Sequence, residues 1–470
     1  MSDALLSTLL GILGPRGLLT EPSEIAPFVT DFRDRRTGTA LAVALPATVE
    51  EAAATVRAVT GAGLPVFPQG GNTGLCYGAV PRRGVVIALR RLNRMREADA
   101  GSGLLSVDAG MTLTEVHAAA EALGLQFPLH LGAEGTAQIG GLISTNAGGT
   151  AVFRYGAMRD LVAGVEVVLA DGQVFSDMKG LRKDNTGYPL SQLFCGAEGT
   201  LGLVTGAVLR LHPRMNARAH AWLALDTPEA ALEAGARIRA AFGTTVEALE
   251  LIDRNEALYV LAHVPGNRLP FDTAPAYSLM VEIAGNGSDS ALSGQLEEVL
   301  AGIFEDGLVR DAIIAQNEKQ GAEIWHFRHS VTEANKLNGI GVVLDTSVRP
   351  SAIPGFIAAA DAVTAERFPE AERCIVCHMA DGNVHYIVMF PFEAWARFPD
   401  AEAKEIEVEE AIHDVAARFG GSFSAEHGIG RKLTSEMARL VDPLKIEMMQ
   451  RLRLAFDPEG LMNPGALLPR

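Results

Sequence analysis

The sequence predicts a chain of mixed helices and strands divided into two or three domains. Three observations carry that expectation. At 470 residues the chain exceeds what one hydrophobic core supports, and 48% hydrophobic residues is enough to fill more than one. Around Val43 to Pro68 the chain reads as strand, helix and strand, because the apolar runs ALAVALP and LPVFP flank the helical pattern TVEEAAATVRAVTGAG. From Cys374 to Phe390, CIVCHMADGNVHYIVMF reads as a β-hairpin, with two β-leaning apolar runs around the turn dipeptide Asp381-Gly382.

In chain order, MSDALLSTLLGILGPRG comes first. Its short apolar stretch is broken by glycine and proline and carries an acidic residue at Asp3, which fits an amphipathic helix rather than a signal peptide. Thr48 is expected to cap the helix of the strand-helix-strand unit, with Glu51 three residues on as in a capping box. No uninterrupted apolar span reaches the roughly 18 residues of a membrane helix. A soluble, cytoplasmic protein with no integral membrane segment is expected. A net charge of -17 argues against nucleic acid and anionic membranes as partners. Cys76, Cys195, Cys374 and Cys377 are too few and too scattered for a disulfide framework, which fits a reducing compartment. Cys374 and Cys377 form a CxxC without a second one to complete a metal cluster, so both read as strand residues.

Glycine loops dominate the first half. Pro68-Gln69-Gly70-Gly71-Asn72-Thr73-Gly74-Leu75 follows a strand and exposes consecutive backbone N–H groups, a cradle for a pyrophosphate or a plain glycine turn. It is neither of the usual nucleotide fingerprints. A second tract, LGAEGTAQIGGLISTNAGGTAVFRYG from Leu131, holds Gly135, Gly140, Gly141, Gly148 and Gly149. So much flexible backbone costs entropy that a buried flat ligand would justify. Leu161 to Phe175 reads as strand, turn and strand about Asp171-Gly172, and a third loop, CGAEGTLG from Cys195, precedes a strand from Leu203 to Leu211.

The hairpin carries two histidines. If its turn centres on Asp381-Gly382, pairing partners have numbers summing to 763 and His378 faces His385 directly. SAEHGIG, Ser424 to Gly430, supplies Glu426 beside His427 in a glycine-flanked loop. Two His and one Glu with an open fourth position form the ligand set of a catalytic divalent metal, with Zn, Mn or Fe(II) compatible. Adjacent residues in an extended segment point to opposite sides, so Glu426 can ligate while His427 faces elsewhere.

Eight segments in order, PQGGNTG, IGGLISTNAGG, RYG, LRKDNTGY, GAEGTLG, HMADGNVH, SAEHGIG and MNP, span nearly the whole chain. With these the sequence resembles the FAD-linked oxidases of the vanillyl-alcohol oxidase superfamily, in the D-2-hydroxyacid dehydrogenase group that includes D-lactate and D-2-hydroxyglutarate dehydrogenases. The resemblance implies an α+β fold: a two-subdomain FAD-binding domain over residues 1–213, an antiparallel-sheet cap (substrate) domain over 214–420, and a C-terminal segment, 421–470, completing the flavin site. The composition changes after Pro213, where alanine-rich helical stretches such as Pro228 to Ala241 appear. It places the pyrophosphate of FAD on Gly70, Gly71, Asn72, Thr73 and Gly74, flanked by Pro68, Gln69 and Leu75. Gly135, Gly140, Gly141, Thr145, Asn146, Gly148, Gly149, Tyr155, Gly199 and Val204 would line the rest, with Asn463 at the isoalloxazine.

The implied activity is oxidation of a D-2-hydroxy acid to its 2-oxo acid by hydride transfer to flavin N5. His378, His385 and Glu426 would hold a divalent metal, most simply Zn, that eases loss of the hydroxyl proton. His427 would be the general base, since an imidazole titrates near operating pH. On the helix read around Trp325 to Thr332, Arg328 and Thr332 share a face and match substrate-binding positions of the family, with Lys336 a further turn on and Asn383 in the hairpin. Two positions depart from relatives acting on 2-hydroxyglutarate: Val343 stands where they carry lysine and Ile387 where they carry asparagine. A shorter or more apolar substrate side chain follows, unless Lys336 or Arg349 compensates. Without a ferredoxin-type cysteine cluster or an NAD fingerprint, the electron acceptor is external: an electron-transfer flavoprotein, a quinone or a cytochrome. An oxidase using O2, and a non-catalytic flavin-binding subunit of a larger complex, are the alternatives; a homodimer is left open.

Overall fold

The computed structural model describes residues Ser2–Pro469, which form two units. The first takes the chain up to Gly149, Tyr155–Arg214 and the residues from Glu426 on; the second takes Thr150–Arg154 and Met215–Ala425.

The first unit begins with the helix Ser2–Leu13 and holds two main sheets. Strands β1 (Leu18–Leu19), β2 (Ala42–Ala44), β3 (Val66–Gln69) and β4 (Val85–Ala88) lie in the order β1-β2-β4-β3, with β4 parallel to both β2 and β3. The helix Val49–Gly61 crosses between β2 and β3 and buries Ala52, Ala53, Val56 and Val59. Its start is set locally. Thr48 Oγ1 accepts the Glu51 N–H at 3.1 Å, and the Glu51 carboxylate reaches back to the Ala47 N–H at 2.7 Å, one residue before the partner a capping box expects.

The second sheet is antiparallel. It uses β5 (Met95–Asp99) and β6 (Leu104–Asp108), then, after the short β7 (Leu125–Gln126), β8 (Val162–Val168), β9 (Val174–Asp177) and β10 (Leu203–Arg210), in the order β5-β6-β10-β8-β9. β7 pairs instead with β11 (His212–Pro213). Gly172 turns β8 into β9 with φ +78°, as the Asp-Gly signal predicts. The tail returns to this unit: Asn463 N–H donates to Val66 O at 2.8 Å, which seats the end of the chain beside β3.

The second unit is one seven-stranded antiparallel sheet of β12 (Ala217–Leu225), β13 (Val246–Asp253), β14 (Tyr277–Gly285), β15 (Asp311–Ile314), β16 (Ile340–Ser347), β17 (Glu372–His378) and β18 (Asn383–Phe390), ordered β15-β12-β14-β13-β17-β18-β16. Helices Pro228–Phe242, Asp289–Glu305, Ile353–Arg367 and Ala401–Arg418 contribute to the core on one face. Helices Arg254–His263 and Glu318–Asn338 contribute Val260, Phe327 and Val331 to the core on the other. Every residue of β14 is buried, which explains why YSLMVEIAG is continuously apolar but for Ser278 and Glu282 rather than alternating.

The hairpin forms, with a different register from the predicted one. His378 pairs with Asn383 and Val376 with His385, so partners sum to 761 rather than 763. The loop is four residues long because the His378 carbonyl accepts the N–H groups of both Asp381 (3.4 Å) and Gly382 (3.0 Å). His378 and His385 are therefore diagonal rather than direct neighbours. A shift of two in the sum keeps both on the same face, since strand side chains alternate with period two.

Candidate active site

In the first unit the glycine loops converge on one cavity. Its wall includes Pro68, Gln69, Gly70, Gly71, Asn72, Thr73, Gly74, Gly140, Gly141, Thr145, Gly199, Val204 and Asn463, all expected from the sequence. Glycine is required where backbones touch: a Cβ on Gly71 would stand 1.9 Å from Thr136 O. Leu75, Gly135, Asn146, Gly148, Gly149 and Tyr155 are not among the lining residues. Gly135 is exposed, Asn146 ends the helix Ile139–Thr145 and accepts the Arg159 N–H at 2.9 Å, and the Tyr155 hydroxyl receives Gln126 Nε2 at 3.0 Å. The wall gains Gln138, whose Oε1 is buried without a hydrogen-bond partner among the described residues. It also gains Glu198 and His427.

Glu198 holds the backbone that follows His427. Its carboxylate accepts the N–H groups of Ile429 and Gly430, each at 2.7 Å, and its carbonyl accepts Asn463 Nδ2 at 2.7 Å. Burial raises the pKa of this carboxyl against the lowering effect of the two backbone bonds. Gly430, at φ +54°, lets the loop pass where a Cβ would stand 1.9 Å from Cys76 O. Arg431 continues the clamp, donating to Asn463 Oδ1 at 2.6 Å and to Tyr77 O at 3.0 Å; burial lowers its pKa to about 10.

In the second unit the histidine pair stands on the sheet face that carries Glu250, Asp345 and Asn383. The rings of His378 and His385 are 5.5 Å apart at 79°. Glu250 on β13 is the cross-strand partner of His378, and its Oε1 lies 2.5 Å from His378 Nδ1. Its Oε2 receives Arg328 Nε at 2.9 Å and Nη2 at 2.8 Å from the helix Glu318–Asn338. Burial alone would raise the Glu250 pKa, but His378 and Arg328 outweigh it and hold the carboxylate at about 2. Asp345 on β16 is the partner of His385, with Oδ1 3.6 Å from Nδ1, and the same oxygen accepts Asn383 Nδ2 at 2.9 Å. Thr332 and Lys336 lie one and two turns beyond Arg328 and are exposed. Val343 and Ile387, the two departures noted in the sequence, are direct cross-strand partners two residues from Asp345 and His385. They pack with Cys374, Met389 and Tyr259. Ala425, the last residue of this unit, donates its N–H to Asp345 O at 3.0 Å; Glu426 and His427 follow in the chain.

Sequence reasoning missed Glu250 and Glu198 as site residues. Glu250 sits in an apolar strand, VEALELID, where an inward charge is the only signal. Glu198 lies inside GAEGTLG, a motif read for its glycines alone.

Residues 40–177 match the family described as FAD binding domain, and residues 214–467 the family described as FAD linked oxidases, C-terminal domain. The chain is 36% identical over 451 residues to D-2-hydroxyglutarate dehydrogenase of Xanthomonas citri pv. viticola, covering 96% of this chain and 94% of that protein. It is 32% identical over 462 residues to the mitochondrial D-2-hydroxyglutarate dehydrogenase of Bos taurus, covering 97% and 82%. Among solved structures, p-cresol methylhydroxylase superposes with a TM-score of 0.76 at 15% identity, over 99% of this chain and 97% of that one. An alkyldihydroxyacetonephosphate synthase superposes at 0.75 and 17%, over 98% and 85%. At such identities these two structures speak for the fold alone.

Proposed function

Because the chain belongs to the FAD-linked oxidases, in the D-2-hydroxyacid dehydrogenase group of the vanillyl-alcohol oxidase superfamily, we propose that it oxidises a D-2-hydroxy acid to the 2-oxo acid with metal assistance. The observation that carries the metal-assisted part is the pair His378 and His385 on one sheet face, each with Nδ1 turned to a carboxylate. For His378, whose Nδ1 is hydrogen-bonded to Glu250, this leaves Nε2 as the ligating atom, the arrangement found around protein-bound metal ions; His385 Nδ1 faces Asp345 at 3.6 Å. Glu426 is the proposed third ligand. Ala425 is anchored beside His385 through Asp345, and His427 lines the glycine cavity.

The cavity fits FAD in the chemistry of its wall: a glycine loop with consecutive N–H groups, backbone packed where side chains would block a flat ring, and a buried amide oxygen, Gln138 Oε1, without a partner. When bound, FAD would accept the hydride at N5 and the divalent cation held by His378, His385 and Glu426 would lower the pKa of the substrate alcohol. His427 takes the hydroxyl proton, held in place by the Glu198 clamp on the following residues. Arg328, whose Nε and Nη2 already engage Glu250, would offer its remaining Nη1 donors to the substrate carboxylate, with Thr332, Lys336 and Asn383 as further contacts. Glu250 thus fixes both the tautomer of His378 and the aim of Arg328. An external acceptor, an electron-transfer flavoprotein, a quinone or a cytochrome, would reoxidise bound FAD.

D-2-hydroxyglutarate and a D-lactate-like acid are the substrates to separate. The apolar pair Val343 and Ile387 favours the shorter or more apolar side chain. An anaerobic screen of D- and L-2-hydroxy acids, including lactate, 2-hydroxyglutarate and malate, tests the proposal through flavin absorbance. Bleaching by a D acid and not its L isomer is expected, with loss on chelation and recovery on adding a divalent ion. Absence of bleaching by every D acid would refute the dehydrogenase reading, and turnover indifferent to chelation would refute the metal.

A further inference from the structure

A second group of ligating side chains lies in the first unit, on residues that the proposed reaction does not use. His117 stands on the helix Leu113–Ala122, and His130 and Glu134 stand four residues apart in the turn segment after β7. One ligand atom from each of the three lies within 4.8 Å of the others. The rings of His117 and His130 are 4.8 Å apart. His117 Nε2 lies 2.9 Å from Leu129 O. A carbonyl oxygen can only accept, so Nε2 carries the hydrogen, and in neutral His117 the lone pair is on Nδ1. That lone pair sits 3.5 Å from Glu134 Oε2, while His130 Nδ1 lies 3.0 Å from Glu134 Oε1.

A nitrogen lone pair and a carboxylate oxygen repel unless a cation joins them. The backbone bond at Nε2 that fixes this tautomer is the kind of outer contact that orients histidine ligands. We propose that His117, His130 and Glu134 form a second divalent-cation site, structural in role, that takes a borderline ion such as Zn2+ with water completing its coordination. Binding displaces the proton from His130 Nδ1. His130 is more than half exposed, so its Nε2 can take up that proton from solvent exchange. The ion fastens the segment 129–138 to the helix that carries His117. That segment ends in Ala137 and Gln138 of the cavity wall, and Gly149 packs on it so closely that a Cβ there would stand 2.2 Å from His130 O.

The test uses the flavin-loaded, full-length protein stripped of metal and titrated with Zn2+ by equilibrium dialysis, beside His130→Ala, Glu134→Gln and His385→Ala. Hydrogen exchange of the segment 129–138 is followed with and without Zn2+. His130→Ala and Glu134→Gln are expected to bind one Zn2+ fewer per chain than the parent, or to bind it about 100-fold more weakly or worse. Zn2+ should slow exchange in the segment in the parent and in His385→Ala, and not in the two cluster variants. Equal stoichiometry with unchanged affinity in parent and His130→Ala would overturn the site, and bound Zn2+ without slower exchange would overturn the fastening role. Failure of the catalytic metal would instead remove the Zn2+ lost in His385→Ala, so the two proposals fail separately.

Discussion

Glu250→Gln is the most informative single substitution. It keeps the size of the side chain and removes its charge in a place with almost no solvent, since the Glu250 side chain is 1% exposed. The carboxylate receives three bonds, from His378 Nδ1 and from Nε and Nη2 of Arg328. A glutamine can accept on one side only, and its amide would present N–H to another donor. Losing a bond to a charged group costs about 1.5–3 kcal/mol, and leaving a buried cation without its partner about 3–5 kcal/mol. A destabilisation of about 3 kcal/mol is therefore expected. At roughly 2–4 °C per kcal/mol for a unit of this size, thermal unfolding should fall by about 6–12 °C. Freed from Glu250, the His378 ring loses its fixed tautomer, and metal affinity should fall about 10–100-fold. The assays are thermal unfolding and Zn2+ affinity by competition with a chromophoric chelator. Glu250→Asp, which keeps the charge on a shorter stem, should recover part of both. Unchanged stability would refute the energetic argument. Zn2+ affinity within about threefold of the parent, with stability lost, would refute the positioning of His378.

Three further outcomes follow from the geometry. His427→Ala should abolish flavin reduction while FAD remains bound, which rapid mixing with substrate and flavin absorbance will read; survival of most of the rate would remove His427 as the base. Gly430→Ala forces a left-handed residue and a Cβ 1.9 Å from Cys76 O, so a loss of roughly 2–4 kcal/mol and weaker flavin retention are expected on thermal unfolding and gel filtration. Glu256 is fully buried, and burial first and Asp253 second raise its pKa from the ordinary 4.5 to about 8. The folded chain keeps that proton up to about pH 8 whereas the unfolded chain releases it above about 4.5, so stability drains away as pH rises through this window. Glu256→Gln should flatten the decline and gain on the order of 1–2 kcal/mol at pH 8 relative to pH 6, measured by denaturant unfolding at both. Parallel pH profiles for parent and variant would refute it.

Much of the machinery was legible because it is local. Thr48 caps the helix Val49–Gly61 through a bond three residues away, and the first glycine loop lines the cavity with seven consecutive residues, Pro68 to Gly74. Both histidines of the hairpin share a face because strand side chains alternate, and a register error of two residues leaves that parity intact. The motifs that identified the family are of the same kind, short runs whose spacing is fixed along the chain.

The set of elements, the family and the chemistry of the available groups can all be read along the chain. The tertiary structure decided their partners. Glu250 meets His378 across 128 residues only because the sheet order sets β13 beside β17, and Glu198 clamps the loop after His427 across more than 230 residues. Val343 and Ile387 become one apolar patch through the pairing of β16 with β18. Strand neighbours are chosen by the burial of whole faces and the hydrogen bonding of whole edges, quantities summed over a sheet, and no local period in the chain records which edge a strand will find.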